Sequence, residues 1–349
     1  MNNKFSIENY EIYTANHRIP YSVHWTITEK CNLRCSHCFL SQKQIETKLE
    51  DALYIIDFLK EKGFFKVALS GGECLLHPHF KEIYTALKKA GMHIDIFTNG
   101  TVLTDKLKQL FIDMKPAKME ISIYGDSDEA YFNSTSSRNA YSSLIKTFDF
   151  LKEQNIHTTI KAPITKFNID SIDNFIEIAK NYQFDYKFAT YIFKASDGSD
   201  APLNCRVDYQ SAVDIEIGHE KNFDGFISKI KKYGLKGISF VEKCSACRNA
   251  FTINADNSFS FCGIMLEPKF HFTAETIERA FNQVNAYRQD VIDMYNQSPC
   301  SKCAISNACT GCPAHLIREN GNYNMCNQYL KQMTNYKIEL IKNEIDTSI

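Results

Sequence analysis

The chain has 349 residues, enough for one large domain and a smaller one, and its 40 Lys and Arg against 41 Asp and Glu leave a net charge of -1. No block of basic residues is dense enough to follow a phosphate backbone, which argues against nucleic acid as a partner, and no run approaches the roughly 18 apolar residues of a membrane span, so no membrane partner is expected. Thirteen cysteines are an odd number in a long chain whose N-terminus, MNNKFSIENYEIYTANHRI, has no apolar signal run, so metal ligation in a reducing, anaerobic cytoplasm is expected ahead of a disulfide framework.

Residues 1–20 read as an N-terminal extension. From there to residue 192, short apolar runs alternate with amphipathic helical patterns, the sequence form of repeated βα units. The spacing predicts strands at Tyr21 to Thr28, Lys66 to Ser70, Ile94 to Thr98, Lys118 to Tyr124, Thr158 to Pro163 and Tyr186 to Phe193, with helices near 46–61, 79–90, 104–113, 138–154 and 171–182. Parallel strands need such crossovers, and right-handed winding curves their sheet. Six units rather than eight predict an α/β fold of the open, partial (β/α)6 barrel kind over residues 21–200. The turn-rich stretch Ala195 to Pro202 reads as its exit. Residues 201–240 are expected to bridge to a small cysteine-rich domain at 241–335, and 336–349 to form a helical tail.

Chemistry gathers at the C-terminal ends of barrel strands, and the motifs fall there. Cys31-Asn-Leu-Arg-Cys35-Ser-His-Cys38 follows the first strand, Gly71-Gly72-Glu73 the second, Thr98-Asn99-Gly100 the third, and Ser122 with Gly125 closes the fourth. CX3CX2C places three thiolates on one short loop, and a 4Fe-4S cube has four corners, so one iron stays without a protein ligand. A zinc knuckle, a redox pair or part of a disulfide framework would also place cysteines close together, but the next candidate ligands, Cys74 and His77, are not at zinc-finger spacing. Paired glycines let backbone come close to a neighbour, and Glu73 has the charge to accept from an ammonium.

Together these motifs resemble a radical SAM enzyme. The resemblance implies that S-adenosylmethionine (SAM) chelates the open iron and is cleaved reductively to a 5′-deoxyadenosyl radical, with a flavodoxin- or ferredoxin-type reductant as electron source. It implies that Gly71, Gly72 and Glu73 meet the SAM amine, that His37 takes the place of an aromatic residue beside adenine, and that Asn99 and Ser122 bond the SAM ribose or carboxylate. Relatives usually have proline after the glycine motif, where this chain has Cys74.

Eight further cysteines stand at 244, 247, 262, 300, 303, 309, 312 and 326, enough to saturate two 4Fe-4S clusters, for three in all. The pattern resembles the SPASM extension of radical SAM enzymes. By that resemblance Cys244, Cys247, Cys262 and Cys312 hold one auxiliary cluster and Cys300, Cys303, Cys309 and Cys326 the other. Two departures stand out: Asn257 replaces the expected glycine, and X2 replaces X3 before Cys312. Asn tolerates positive φ, so the turn can survive. A zinc ribbon pairing the two CX2C units is the alternative, and leaves four cysteines unexplained. Cys74 and Cys205 remain, either as small buried hydrophobes or as hydrogen-atom or electron relays near the substrate.

The cluster motifs say little about substrate, because the cofactor carries the chemistry. The resemblance implies an oxidoreductase that matures a ribosomally made precursor peptide (a RiPP), forming a thioether, C–C or C–O cross-link. The alternatives are a tetrapyrrole-modifying enzyme of haem biosynthesis, a peptide epimerase, a sulfatase maturase, or a non-catalytic iron–sulfur electron carrier. A sulfatase maturase carries an aspartate base after the second SPASM cysteine, where this chain has Gly263. A tetrapyrrole acid favours a basic pocket, and none is visible in the sequence. About twenty residues precede the first strand, so leader recognition is expected to fall to the core or to a separate leader-recognition protein.

Overall fold

The computed structural model describes residues 6–40, 44–219, 222–237 and 239–342. Six strands run parallel in chain order: β1 (Ser22–Thr28), β2 (Lys66–Gly71), β3 (His93–Thr98), β4 (Lys118–Ser122), β5 (Thr158–Pro163) and β6 (Asp185–Ala189). Helices Leu49–Glu61, Phe80–Lys89, Asp105–Asp113, Ala140–Glu153 and Ile172–Tyr182 supply the crossovers. Each helix buries one stripe, such as Ala52, Ile55, Ile56 and Leu59 in the first, which is the i, i+3, i+4, i+7 pattern that packs on a sheet.

The strands alternate. On β1, Val23, Trp25 and Ile27 are buried against helices, while Ser22, His24 and Thr26 point the other way. A sheet covered by helices on both faces would be apolar throughout, so this alternation marks the second face as a polar lumen. His24 on β1 lies within Coulombic reach of Lys161 on β5 and Glu120 on β4, which requires the sheet to curl around that face. The fold is the α/β barrel expected from the six βα units.

Three local features differ from the sequence expectation. A helix Asp128–Thr135 precedes Ala140–Glu153, and the break falls where Ser136 and Asn139 take φ of 55° and 57°; the first of the two carries no apolar stripe, its buried residues being Tyr131, Ser134 and Thr135. The sixth strand stops at Ala189 instead of reaching 193. Within the N-terminal segment, Ile7–His17 is a helix held by the Asn249 side chain, which donates to Thr14 Oγ1 at 3.0 Å.

The sheet continues beyond residue 240. Strand β7 (Ala250–Asn254) pairs in parallel with β1, and β8 (Ser258–Ser260) and β9 (Phe270–His271) extend the same sheet to nine strands. Phe251, Phe259 and Phe281 join Phe58 and Phe64 in one core, with Phe64–Phe251 and Phe58–Phe281 rings both 5.4 Å apart. The cysteine-rich region is therefore continuous with the barrel core. A smaller cluster around Phe240, Phe261, Val291 and Tyr295 packs beside its thiols. The 201–240 stretch is mostly helical, at Tyr209–His219 and Asn222–Tyr233. The last described helix, Gln328–Leu340, begins before the expected tail, and residues 343–349 lie outside the described residues.

Candidate active site

The cysteine loop leaves β1 at Thr28 and is held from two sides. On one side Arg34 N and Ser36 N donate to Thr135 O (2.9 Å) and Ser134 O (3.0 Å), so the unforeseen helix Asp128–Thr135 shapes it. On the other, Gly72 N and Glu73 N donate to Thr28 O and Lys30 O, each at 2.9 Å. The glycine pair is needed for that contact: a Cβ on Gly72 would lie 2.6 Å from Glu29 O and Lys30 O, and one on Gly71 2.2 Å from Thr28 O. Cys31, Cys35 and Cys38 are partly buried, unbridged and within mutual electrostatic reach. Burial pushes the Cys31 and Cys35 thiols up; a coordinated metal is the usual means of holding such thiols deprotonated.

Glu73 does more for the protein than its sequence suggested. Fully buried, its Oε1 accepts from Thr98 Oγ1 (2.7 Å) and Leu75 N (3.0 Å) and its Oε2 from Asn99 N (2.7 Å). Burial still pushes its carboxyl up, and these three donors oppose that. A carboxylate has about four acceptor sites, so room for one further donor remains. Asn99 completes the tie: its Nδ2 donates to Asn32 Oδ1 at 2.9 Å and reaches Cys31 Sγ at 3.9 Å.

His37 lies beside Tyr124, rings 5.2 Å apart, with its Nδ1 unpartnered, and burial lowers its pKa to about 4. The ring is therefore neutral near pH 7. Tyr124, missed as a site residue because it sat inside a predicted strand, is electrostatically near Cys35 and Cys31 and bonds the Ser122 side chain. Ser122 ends β4 in register with Lys161 of β5.

The C-terminal thiols fall into two neighbourhoods. Cys247 and Cys312 each feel Cys244 and Cys262; Cys300 feels Cys303, Cys309 and Cys326. Cys244 is held down to about 7, chiefly by its hydrogen bond with Cys247. A cavity of about 1080 Å³ opens between the neighbourhoods and is lined by Cys244, Cys262, Cys312 and Cys309. Among the described residues no three Cys, His, Asp or Glu side chains converge on a position for a single metal ion, so these groups are spaced more widely than a mononuclear site. Free thiols in two groups of four, three of one group and one of the other lining the cavity, fit polynuclear iron–sulfur ligation in donor chemistry. Asn257 takes φ of 54°, the left-handed turn its position demands, and its amide donates to Asp51 at 2.7 Å.

Residues 25–180 match the profile of the Radical SAM superfamily. This segment is a radical SAM domain. The chain is similar to an AdoMet-dependent heme synthase of Methanosarcina barkeri, 20% identical over 87% of this chain and 94% of that protein. It is also similar to the sporulation killing factor maturation protein SkfB of Bacillus subtilis, 23% identical over 74% of this chain and 64% of SkfB. The fold is shared with Streptococcus suis SuiB, solved bound to its precursor peptide SuiA, with a TM-score of 0.62, 16% identity and coverage of 94% and 83%.

Two thiols stand apart from the groups. Cys74 is fully buried behind the radical SAM domain's glycine turn, its Sγ donating to Phe97 O at 3.3 Å, and Cys205 is 1% exposed, donating to Pro202 O at 3.0 Å. Both are packed into the protein and satisfied, and neither faces the lumen openly. The lumen of the radical SAM domain instead presents His24, Phe97, Glu120 and Lys161, none of which the sequence singled out. The available signal was polar residues at alternate positions of otherwise apolar strands.

Proposed function

We propose that this chain uses its radical SAM domain to oxidise a ribosomally made precursor peptide, with two auxiliary clusters in a C-terminal SPASM domain. The observation that carries the reading is the pair of four-thiol neighbourhoods in the region that flanks β7, with Cys244, Cys262 and Cys312 of one and Cys309 of the other lining a common cavity. Similarity to SkfB and the fold shared with SuiB support a peptide substrate.

Cys31, Cys35 and Cys38 hold the cluster that supplies the electron for SAM cleavage, and Cys244, Cys247, Cys262, Cys312 and Cys300, Cys303, Cys309, Cys326 hold the electron-accepting pair. The protein's own part is orientation. Glu73 and Asn99 lock the second and third strand ends against the cysteine loop, and Gly71 and Gly72 admit that loop at backbone contact. His37, Asn99 and Ser122 offer the SAM contacts, with a spare acceptor position on Oε2 of Glu73 for the amine. Forming one cross-link would remove two hydrogens from the peptide: SAM chemistry would take one as an atom, and the other would leave as a proton to solvent and an electron to the auxiliary clusters. The proposed setting is cytoplasmic, with a flavodoxin or ferredoxin as reductant and a separate protein for leader recognition.

Mass spectrometry of a co-expressed candidate peptide tests this, each cross-link lowering the mass by about two hydrogens. An unmodified peptide in the presence of SAM cleavage would count against it. A tetrapyrrole substrate is the second reading. It is favoured by alignment with nearly the full length of the heme synthase and by Lys118, Lys161 and Lys187 gathered around Glu120 on neighbouring strands; conversion of a coproporphyrin by the reconstituted protein would select it.

A further inference from the structure

Among the described residues, the lumen holds a lysine whose ammonium has no ion-pair partner. Lys161 lies on β5 between Ile160 and Ala162, both 1% exposed on the helix side, so its own side chain points into the lumen. In register beside it are Ser122 of β4 and Lys187 of β6, and in-register neighbours share a face. The acid nearest this group is Glu120, and it is already engaged, by Lys118 at 2.9 Å and Lys187 at 3.5 Å. Across the lumen His24 is within Coulombic reach of both Lys161 and Glu120, and its ring packs edge-on to Phe97 at 5.7 Å. Among the described residues neither the Lys161 ammonium nor the His24 ring makes a hydrogen bond or ion pair. Three lysines thus share one carboxylate.

The place is central. Ser122, one strand from Lys161, bonds Tyr124, which adjoins Cys35 and Cys31. On the opposite side, a Cβ on Gly263, the residue after Cys262, would lie 3.9 Å from His24 Nδ1. The ammonium is thus connected through Ser122 and Tyr124 to the cysteine loop and through His24 to the segment that carries Cys262.

We propose that Lys161 binds a carboxylate of the substrate inside the barrel lumen. A half-buried ammonium without a counterion keeps part of its desolvation cost, and a ligand carboxylate offsets it with a charge-assisted hydrogen bond. His24, uncharged, offers a second polar contact without adding positive charge, and Phe97 an apolar wall. The inference rests on the lumen being the substrate chamber of the proposed radical enzyme. The carboxylate has two sources, an acidic side chain or C-terminus of a peptide, or a propionate of a tetrapyrrole.

The test measures binding to the cluster-reconstituted full chain with two matched probe pairs: a C-amidated hexapeptide containing one glutamate against its glutamine counterpart, and coproporphyrin III against its tetramethyl ester. Wild type should bind one acid about 10- to 100-fold more tightly than its neutral partner, and the pair that discriminates identifies the source. Lys161→Met should erase the discrimination and Lys161→Arg keep most of it, with SAM cleavage in the absence of substrate unchanged. Equal binding of acid and neutral probes by wild type, or discrimination that survives in a folded Lys161→Met protein, overturns the anchor. If Lys161→Met does not fold, Lys161→Glu with a lysine-containing hexapeptide decides, a reversed preference supporting the proposal and an unchanged one refuting it. Failure here with SAM cleavage intact leaves the radical reading standing, whereas loss of that reading would show in SAM cleavage itself.

Discussion

The two cysteine-rich regions solve the same ligation problem differently. Cys31, Cys35 and Cys38 sit on one loop pinned by strand ends, by the Gly72 and Glu73 amides and by the helix Asp128–Thr135. The C-terminal thiols arrive from segments up to eighty residues apart, on short helical turns and irregular backbone such as Ser245–Cys247 and Pro299–Lys302. A preformed loop binds metal without refolding, whereas a site assembled from distant segments draws its order from the metal as well. The first region should therefore keep its shape without iron and the second should not.

The largest expected effect breaks the comparison at its functional end. Replacing Cys31, Cys35 and Cys38 together with alanine should abolish 5′-deoxyadenosine formation and remove about a third of roughly twelve irons per chain, four per cube. Iron assay and chromatography of the SAM products check this; zinc at stoichiometric level in place of the remaining iron would remove the auxiliary clusters from the account.

Substituting Cys309 or Cys326 with alanine should leave part of the SAM cleavage and eliminate modified peptide, provided the variant stays soluble with its other iron in place. Full product from a variant lacking that cluster would end the electron-acceptor assignment. Limited proteolysis of the iron-free protein should cut first within 241–335, and first cuts within 29–40 would reverse the contrast between the two regions.

Smaller effects probe the pinned loop. Gly72→Ala forces a Cβ to within 2.6 Å of two carbonyl oxygens and should cost about 1 to 3 kcal/mol, as overpacking does, with iron lost from the first site only. Glu73→Gln trades a charged acceptor of three hydrogen bonds for an amide and should cost about 1.5 to 3 kcal/mol, read from urea midpoints. The pH dependence of His24 is smaller still. Its pKa is lowered to about 4, first by burial and then by Lys161, with Glu120 opposing. The unfolded chain therefore binds the proton more readily, and the stability this ring contributes above pH 6.5 is lost as pH falls toward 4. At pH 5 the loss is roughly 1 to 2 kcal/mol, and His24→Gln should flatten that part of the urea midpoint profile.

What was readable from sequence was whatever depends on local spacing. CX3CX2C brings three thiols together because the loop is only eight residues long, and the alternation of apolar runs with helical stripes defined six βα units because each period reflects its own element. The positive φ of Asn257 belonged to the same class, a turn set by its immediate neighbours. Relations across the chain needed the tertiary structure. Pairing of β7 with β1 joins residues more than two hundred apart, and no local pattern distinguishes a strand that closes a new domain from one that extends an old sheet. Glu73 looked available for a ligand until the third strand brought Thr98 and Asn99 to it. In sequence Lys161 is one polar residue in an otherwise apolar strand; only the curl of the sheet, which sets β1 opposite β5, places it as a half-buried charge facing His24.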